Sequence, residues 1–294
     1  KLGMKKLLEE SEGAWIVNLK KYGMPPALIM KKDGATLYLT RDLAAAFYRK
    51  KTYKADKLLY EVGSEQRLHF QQLFKILELM GCSWAKDCIH INHGLYLDQD
   101  KKKLSTRKGK TIFMEEVIDE AITSVKKVIQ EKNPTLKNKD QVAHAVGVGA
   151  IIFGDLMNDR TNDIVFDMEK FLSFDGETGP YLQYTHARLC SILRKGKPAK
   201  KKDVSRLDND EVQLIKQIGN FSHAIEESIA HYKPSLLARY LLDLAQATNS
   251  YYVTHPILKS EEPLRSTRLT IISAVQIVLK KGLQLLNMKP VEEM

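Results

Sequence analysis

Cysteine is scarce. Cys82, Cys88 and Cys190 are the only three in 294 residues, too few for a disulfide framework, and none stands in a C-x-x-C pair of the kind that holds structural zinc. They read as reduced, mostly buried thiols of a cytoplasmic protein. No apolar run approaches the roughly 18 residues of a membrane span. The richest stretch, from Val142 to Met157, is broken by His144, Gly147, Gly149, Gly154 and Asp155. The opening KLGMKKLLEE has no apolar segment of the secretory type. It also has no initiator Met, so the chain is expected to be a fragment or a trimmed product. No internal repeat is found.

What is present is a soluble-type composition with an uneven charge. Hydrophobic residues make up 44% and charged residues 28%, and 46 Lys and Arg against 36 Asp and Glu leave a net +10. Nearly all of this excess lies early. Residues 1–115 carry 22 cations and 13 carboxylates, whereas residues 116–294 carry 24 and 23. A polyanionic partner fits such a balance, and the step suggests two domains, 1–115 and 116–294.

Pattern supports the division. AWIVNL (14–19), ALIM (27–30), LLYEV (58–62) and CIHIN (88–92) read as strands, and Asp33-Gly34 as a turn. Thr40 and Ser64 are expected to cap the two intervening helices. Strand–helix alternation of this kind predicts an α/β domain with a parallel sheet. After Met114 no strand is expected. Helical stripes run over 115–130, 139–153, 180–193, 210–232, 234–252 and 263–286, an all-α bundle. In the fifth, Leu237, Tyr240, Leu241, Leu244 and Tyr251 share one stripe.

Several short motifs have a bland reading. GKT (109–111) fails as a P-loop because Leu104 stands where the first glycine belongs. Gly147, Gly149 and Gly154 lie in a helical pattern and read as close packing. His90 and His93, on a β run, read as structural. Tyr38 and Asp42 span a strand end and a helix start, where α/β sheets bind ligands, though such a pair is more often a cap or a core hydrogen bond. KKKLSTRKGK (101–110) places six cations in ten residues. It is either a solvated loop or one able to hold a triphosphate.

Taken together and in order, DGATLYLTRDLAAAFYR (33–49), VGSEQRLHFQQL (62–73), KKLSTRKGKTIFMEEVIDEA (102–121), GETGPYLQYTHARLCSIL (176–193) and GLQLLNMKPVEEM (282–294) resemble arginyl-tRNA synthetases. The resemblance implies part of a class I Rossmann-type catalytic domain followed by a helical anticodon-binding bundle. It implies arginine activation with ATP and Mg2+, transfer to tRNA(Arg), no resident metal, a cytoplasmic location and a monomeric parent enzyme.

Residue by residue, the family's KMSKS-type loop falls on Lys103, Leu104, Ser105, Thr106 and Arg107. Thr106 stands where the second lysine belongs, so Arg107 or Lys108 is expected to supply that cation. Tyr38, Asp42 and Gln66 match positions for the arginine side chain. His69 matches one near the nucleotide, with Lys103 and Ser105. Tyr181, Tyr184, Arg188, Tyr251 and Met294 match positions near the anticodon, though Tyr184 and Tyr251 fit a core stripe as well as a stacking role.

The family's H-x-G-H motif is absent from the 294 residues. The expectation is therefore a C-terminal portion that cannot catalyse alone, with a natural tRNA-binding module, a truncated paralogue or an assembly subunit as alternatives. Oligomerisation or poor order of residues 1–115 is expected from an incomplete parallel sheet.

Overall fold

The computed structural model describes residues 6–103, 113–197, 204–205 and 207–294. The chain forms two compact units, residues 1–95 and 96–294. Ser105, Arg107 and Lys108 lie outside the described residues.

The first unit opens with an antiparallel sheet of β1 (Leu8–Ser11), β2 (Ala14–Val17) and β3 (Ala27–Met30). A parallel arrangement was expected here, and β1 was not anticipated. Only Glu12 and Gly13 join β1 to β2, both at positive φ (50° and 81°), as a two-residue hairpin turn requires. A parallel partner needs a crossover of about a dozen residues, which neither link supplies.

Helix α1 (Tyr38–Tyr53) follows. Leu39, Leu43 and Ala46 are buried at i, i+4 and i+7, and this stripe sets the rotation of the helix. The helix starts two residues before Thr40, whose hydroxyl donates to the Ile29 carbonyl and ties α1 to β3 instead of capping it. Next, β4 (Leu58–Gly63), α2 (Arg67–Leu79) and β5 (Cys88–His93) make the expected parallel β-α-β unit, in register from Leu58 opposite Cys88 to Gly63 opposite His93. Phe70, Leu73, Ile76 and Leu77 of α2 complete the core with Val17, Ile29, Leu43 and Ala46. Ser64 does not cap α2, because a single 3-10 turn over Ser64–Gln66 intervenes.

The second unit is mainly helical. It contains a two-residue parallel pair, β6 (Tyr96–Leu97) with β7 (Ile164–Val165), of which β7 lies beyond Met114, where no strand was expected. Two-residue strands leave too little alternation to be seen in a sequence. The helices are α3 (Met114–Lys132), α4 (Lys139–Leu156), α5 (Met168–Leu172), α6 (Gly179–Lys195), α7 (Asn209–Gly219), α8 (Phe221–His231), α9 (Pro234–Thr254) and α10 (Leu264–Leu285). The stretch 210–232, expected as one helix, is interrupted at Asn220.

Pro180 and Pro234 occupy first turns, where the missing N–H costs no hydrogen bond. Asp208 and Glu211 form a capping box on α7. Leu182, Leu189, Leu241, Leu244, Leu269, Ile272, Leu279 and Leu283 are sealed in the core. The glycine reading is correct. A Cβ on Gly147 would lie 2.8 Å from the Ile122 backbone nitrogen, and one on Gly154 would strike the Phe171 ring. No helix among the described residues is long and apolar enough to cross a membrane.

Candidate active site and nucleic-acid interface

In the first unit the expected residues gather beyond the C-terminal end of β4, where open parallel sheets bind ligands. Asp42 lies in the second turn of α1 and His69 in the first turn of α2. The buried stripes of the two helices bring them together, and His69 Nε2 donates to Asp42 Oδ2 at 2.7 Å. Both remain accessible, with side-chain exposures of 38% and 22%. Tyr38 stands one turn before Asp42 and is 79% exposed. Gln66, also exposed, ends the turn that leads into α2.

The floor of this region is tied down by polar contacts. Ser64 Oγ donates to the His93 carbonyl at 2.9 Å and accepts from Asn92 Nδ2 at 2.9 Å. His90 Nε2 donates to the Val62 carbonyl at 2.9 Å while its ring lies 4.4 Å from Phe70. These contacts cross from β4 to β5 and fix the strand ends. His90 is therefore structural, as expected, whereas the His93 ring is exposed and, among the described residues, bonds only the adjacent Gly94 carbonyl, at 2.8 Å.

Lys103 belongs to the second unit. It bridges Leu97 at the end of a turn closed by Lys101 N–H to the Asp98 carbonyl. Of the other cations in the 101–110 run, Lys101 and Lys102 lie in the same turn, and Arg107, Lys108 and Lys110 fall outside the described residues.

The second unit presents an aromatic and cationic patch on α6. Thr178 caps this helix, its hydroxyl accepting from the Tyr181 N–H at 3.2 Å. Leu182, Gln183, Thr185, His186 and Leu189 are buried, which turns Tyr184 and Arg188 outward. The Arg188 guanidinium donates to Tyr184 Oη and to Asn249 Oδ1, both at 3.0 Å. It also lies 4.8 Å from the Tyr184 ring and 5.8 Å from that of Tyr252. Asn249 Nδ2 in turn donates to Tyr181 Oη at 2.8 Å and to Thr185 Oγ1 at 3.0 Å. Tyr184 and Tyr252 are about equally exposed, at 40% and 39%. Two half-open rings with a cation fixed between them form a surface on which unpaired bases can stack.

Tyr251, expected here, lies elsewhere. It is only 3% exposed, its hydroxyl donates to Glu211 Oε1 at 2.9 Å, and its ring stacks on His255 at 4.4 Å. Burial, reinforced by the Glu211 carboxylate, drives its phenol pKa far upward. Glu211, fully buried, also accepts from Arg268 Nε at 2.8 Å. Asp208 extends the network to His255 at 2.9 Å. Burial favours protonation of Asp208, but the Glu211 N–H and the His255 and Arg268 charges prevail and lower its pKa. Tyr251 thus belongs to the core, and its neighbour Tyr252 supplies the exposed ring. A signal for this was available, since Tyr251 continues the apolar stripe of α9 and Tyr252 falls off it.

Met294 is half-buried against the cluster of Val125, Ile129 and Val142, and its carbonyl accepts from Asn133 Nδ2 at 3.2 Å. The closing segment is held to α6 by Gln183 donating to the Lys289 carbonyl at 2.8 Å and His186 Nδ1 to that of Val291 at 2.7 Å.

Comparison with known proteins places two stretches of the chain in known families. Residues 1–168 match the family described as tRNA synthetases class I (R), catalytic domain, and residues 182–294 match the DALR anticodon binding domain. The arginine–tRNA ligase of Halothermothrix orenii is 50% identical over 99% of this chain and 52% of its own length. That of Clostridioides difficile is 47% identical over the same shares. The solved Thermus thermophilus arginyl-tRNA synthetase superposes with a TM-score of 0.92 at 26% identity, covering 100% of this chain and 57% of that one. The chain therefore spans about half the length of the curated relatives it matches.

Proposed function

The chain belongs to the class I (R) tRNA synthetase family, and from that premise we propose that it supplies the arginine-recognising part and the anticodon-reading bundle of an arginine–tRNA ligase. In the overall reaction arginine and ATP give arginyl-adenylate and pyrophosphate, and the arginyl group then passes to the terminal adenosine of tRNA(Arg). Mg2+ arrives with ATP as part of the substrate. The parent enzyme acts as a monomer, and its place is the cytoplasm, which three unpaired cysteines fit.

The observation that carries the proposal is the Asp42–His69 pair. His69 engages one oxygen of the Asp42 carboxylate and orients the group. The other oxygen is left for the forked N–H groups of an arginine side chain. A planar guanidinium fits a carboxylate with charge-assisted hydrogen bonds that a lysine ammonium does not reproduce. Tyr38 and Gln66, at the rim, add a phenol and an amide that the wrong amino acid would leave unpaired. Lys103, Ser105 and Arg107 or Lys108 would place positive charge on the triphosphate as it breaks.

In the bundle, the Tyr184–Arg188–Tyr252 patch holds splayed anticodon bases, with Tyr181 and Asn249 setting the angle of Arg188. Met294, packed against Val125, Ile129 and Val142, is a further base contact on the strength of the family resemblance alone. Because H-x-G-H is absent from these residues, the chain alone does not form adenylate.

The test is binding of tRNA(Arg) to the 294-residue chain, with single anticodon bases removed as abasic sites. Loss of a stacked base should weaken binding by about 1–3 kcal/mol. Equal affinity for the intact and every abasic anticodon would refute the proposal.

A further inference from the structure

We propose that the C-terminal end of α1 is a second RNA contact, which grips the phosphodiester backbone and an unpaired base of the same tRNA outside its anticodon loop. The inference rests on the tRNA-binding reading above but concerns the other compact unit and residues with no part in that reading.

The helix ends in the sequence FYRKKTYK (47–54), four cations and two tyrosines without a carboxylate. Tyr48 is 60% exposed and Tyr53 69%, which makes them, after Tyr38, the most exposed large apolar side chains of this unit. Their rings meet edge-on, with centroids 6.1 Å apart and planes at 89°, so each keeps a face toward solvent. Neither contributes to the core, which α1 fills with Leu39, Leu43 and Ala46.

Some of the adjacent cations have structural employment. Lys50 Nζ donates to the Ala55 carbonyl at 2.6 Å, and the Arg49 guanidinium lies 5.6 Å over the Tyr60 ring. Lys51 and Lys54 are exposed and make no ion pair among the described residues.

Cations in the last turn of a helix complement its dipole, and that alone accounts for lysines at this place. It does not account for two solvent-facing aromatic rings among them. Rings interleaved with unpaired cations are the combination that binds single-stranded nucleic acid, through stacking and phosphate neutralisation. The charge balance points the same way, since residues 1–115 hold 22 cations against 13 carboxylates.

The experiment uses the 294-residue chain and two double variants, K51E/K54E and Y48A/Y53A. Fluorescence anisotropy at a series of KCl concentrations measures affinity for whole tRNA(Arg) and for its isolated anticodon stem–loop. K51E/K54E should flatten the slope of log K against log salt for whole tRNA by about 1.4–1.8, two phosphate contacts at roughly 0.7–0.9 each. Y48A/Y53A should weaken whole-tRNA binding about 5- to 150-fold, and Y48F/Y53F should restore it because the ring is kept. All variants should melt with the parent and bind the stem–loop as the parent does.

Unchanged affinity and slope on whole tRNA overturn the proposal, as do losses of equal size on the stem–loop. Variants that alter only self-association in sedimentation, with RNA binding intact, make the surface a protein contact and overturn it too. Failure of the anticodon reading is separately visible, as parent-chain binding that ignores removal of the anticodon bases.

Discussion

Tyr251 and Tyr252 are neighbours in sequence with opposite surroundings, so replacing each in turn separates stability from recognition. In Y251F the ring stays in the core and only the hydroxyl leaves. That hydroxyl donates to Glu211, a fully buried carboxylate whose other partner at the same oxygen is Arg268 Nε, at 2.8 Å. A hydrogen bond to a charged group is worth about 1.5–3 kcal/mol. For a unit of 150–250 residues each kcal/mol moves the melting temperature by about 2–4 °C, so a fall of roughly 3–12 °C is expected.

In Y252A a ring already 39% exposed is removed. Its main loss is a cation–π contact worth roughly 0.5–1 kcal/mol at an exposed site. Melting should therefore change little, while affinity for tRNA(Arg) falls by about 1–3 kcal/mol as a stacking surface disappears. The assays are differential scanning calorimetry and anisotropy titration of the same preparations. The reasoning is refuted if Y251F melts with the parent and loses RNA affinity while Y252A binds normally.

Other outcomes follow from the same geometry. Asp42→Asn, tested with the chain supplied with an H-x-G-H-bearing half of a relative, should cost about 1.5–3 kcal/mol in kcat/KM for arginine; an unchanged value would remove Asp42 from recognition. Arg268→Met strands the buried Glu211 carboxylate and should destabilise the second unit by about 3–5 kcal/mol in urea titration. Gly147→Ala should be destabilising by about 1–3 kcal/mol although alanine favours helices, because its methyl meets the Ile122 backbone, which cannot swing away.

Burial holds the His186 pKa below its ordinary value, so the unfolded chain binds a proton there more readily than the folded one. Stability from this site is then complete above about pH 6.5 and falls with acidification by up to ~1.4 kcal/mol per pH unit, until the folded-state pKa is passed. Chemical denaturation of the parent and His186→Asn between pH 5 and 8 would check this, the variant being flatter.

Much of the fold was legible because local patterns were strong. The stripe Leu237, Leu241, Leu244 specified α9, and the spaced glycines of α4 announced close packing that the 2.8 Å approaches at Gly147 and Gly149 bear out. The β-α-β unit followed from two short apolar runs around an amphipathic helix. The direction of β1–β3 was not read, because direction depends on link length and on the positive φ values at Glu12 and Gly13. The start of α1 was misplaced at Thr40, since its hydroxyl serves a tertiary bond to Ile29. The charge step at 115 and the packing boundary at 95 differ because Tyr96 and Leu97 pair with Ile164 and Val165, a contact distant in sequence.

By itself, the sequence determined the residue types available for chemistry. A carboxylate and a phenol stand at the start of α1, a histidine at the start of α2, and tyrosines with an arginine on α6. It also determined the family, because long ordered blocks carry that information without any contact being known. Only the tertiary structure decided which groups meet. It joined Asp42 to His69 across 27 positions, at 2.7 Å, sent Tyr251 into the Glu211 network, and left Tyr252 beside Arg188. The physical reason is that exposure is a property of packed surfaces. Adjacent helix positions differ by about 100° in direction, and which of them faces water depends on the neighbour that covers the other.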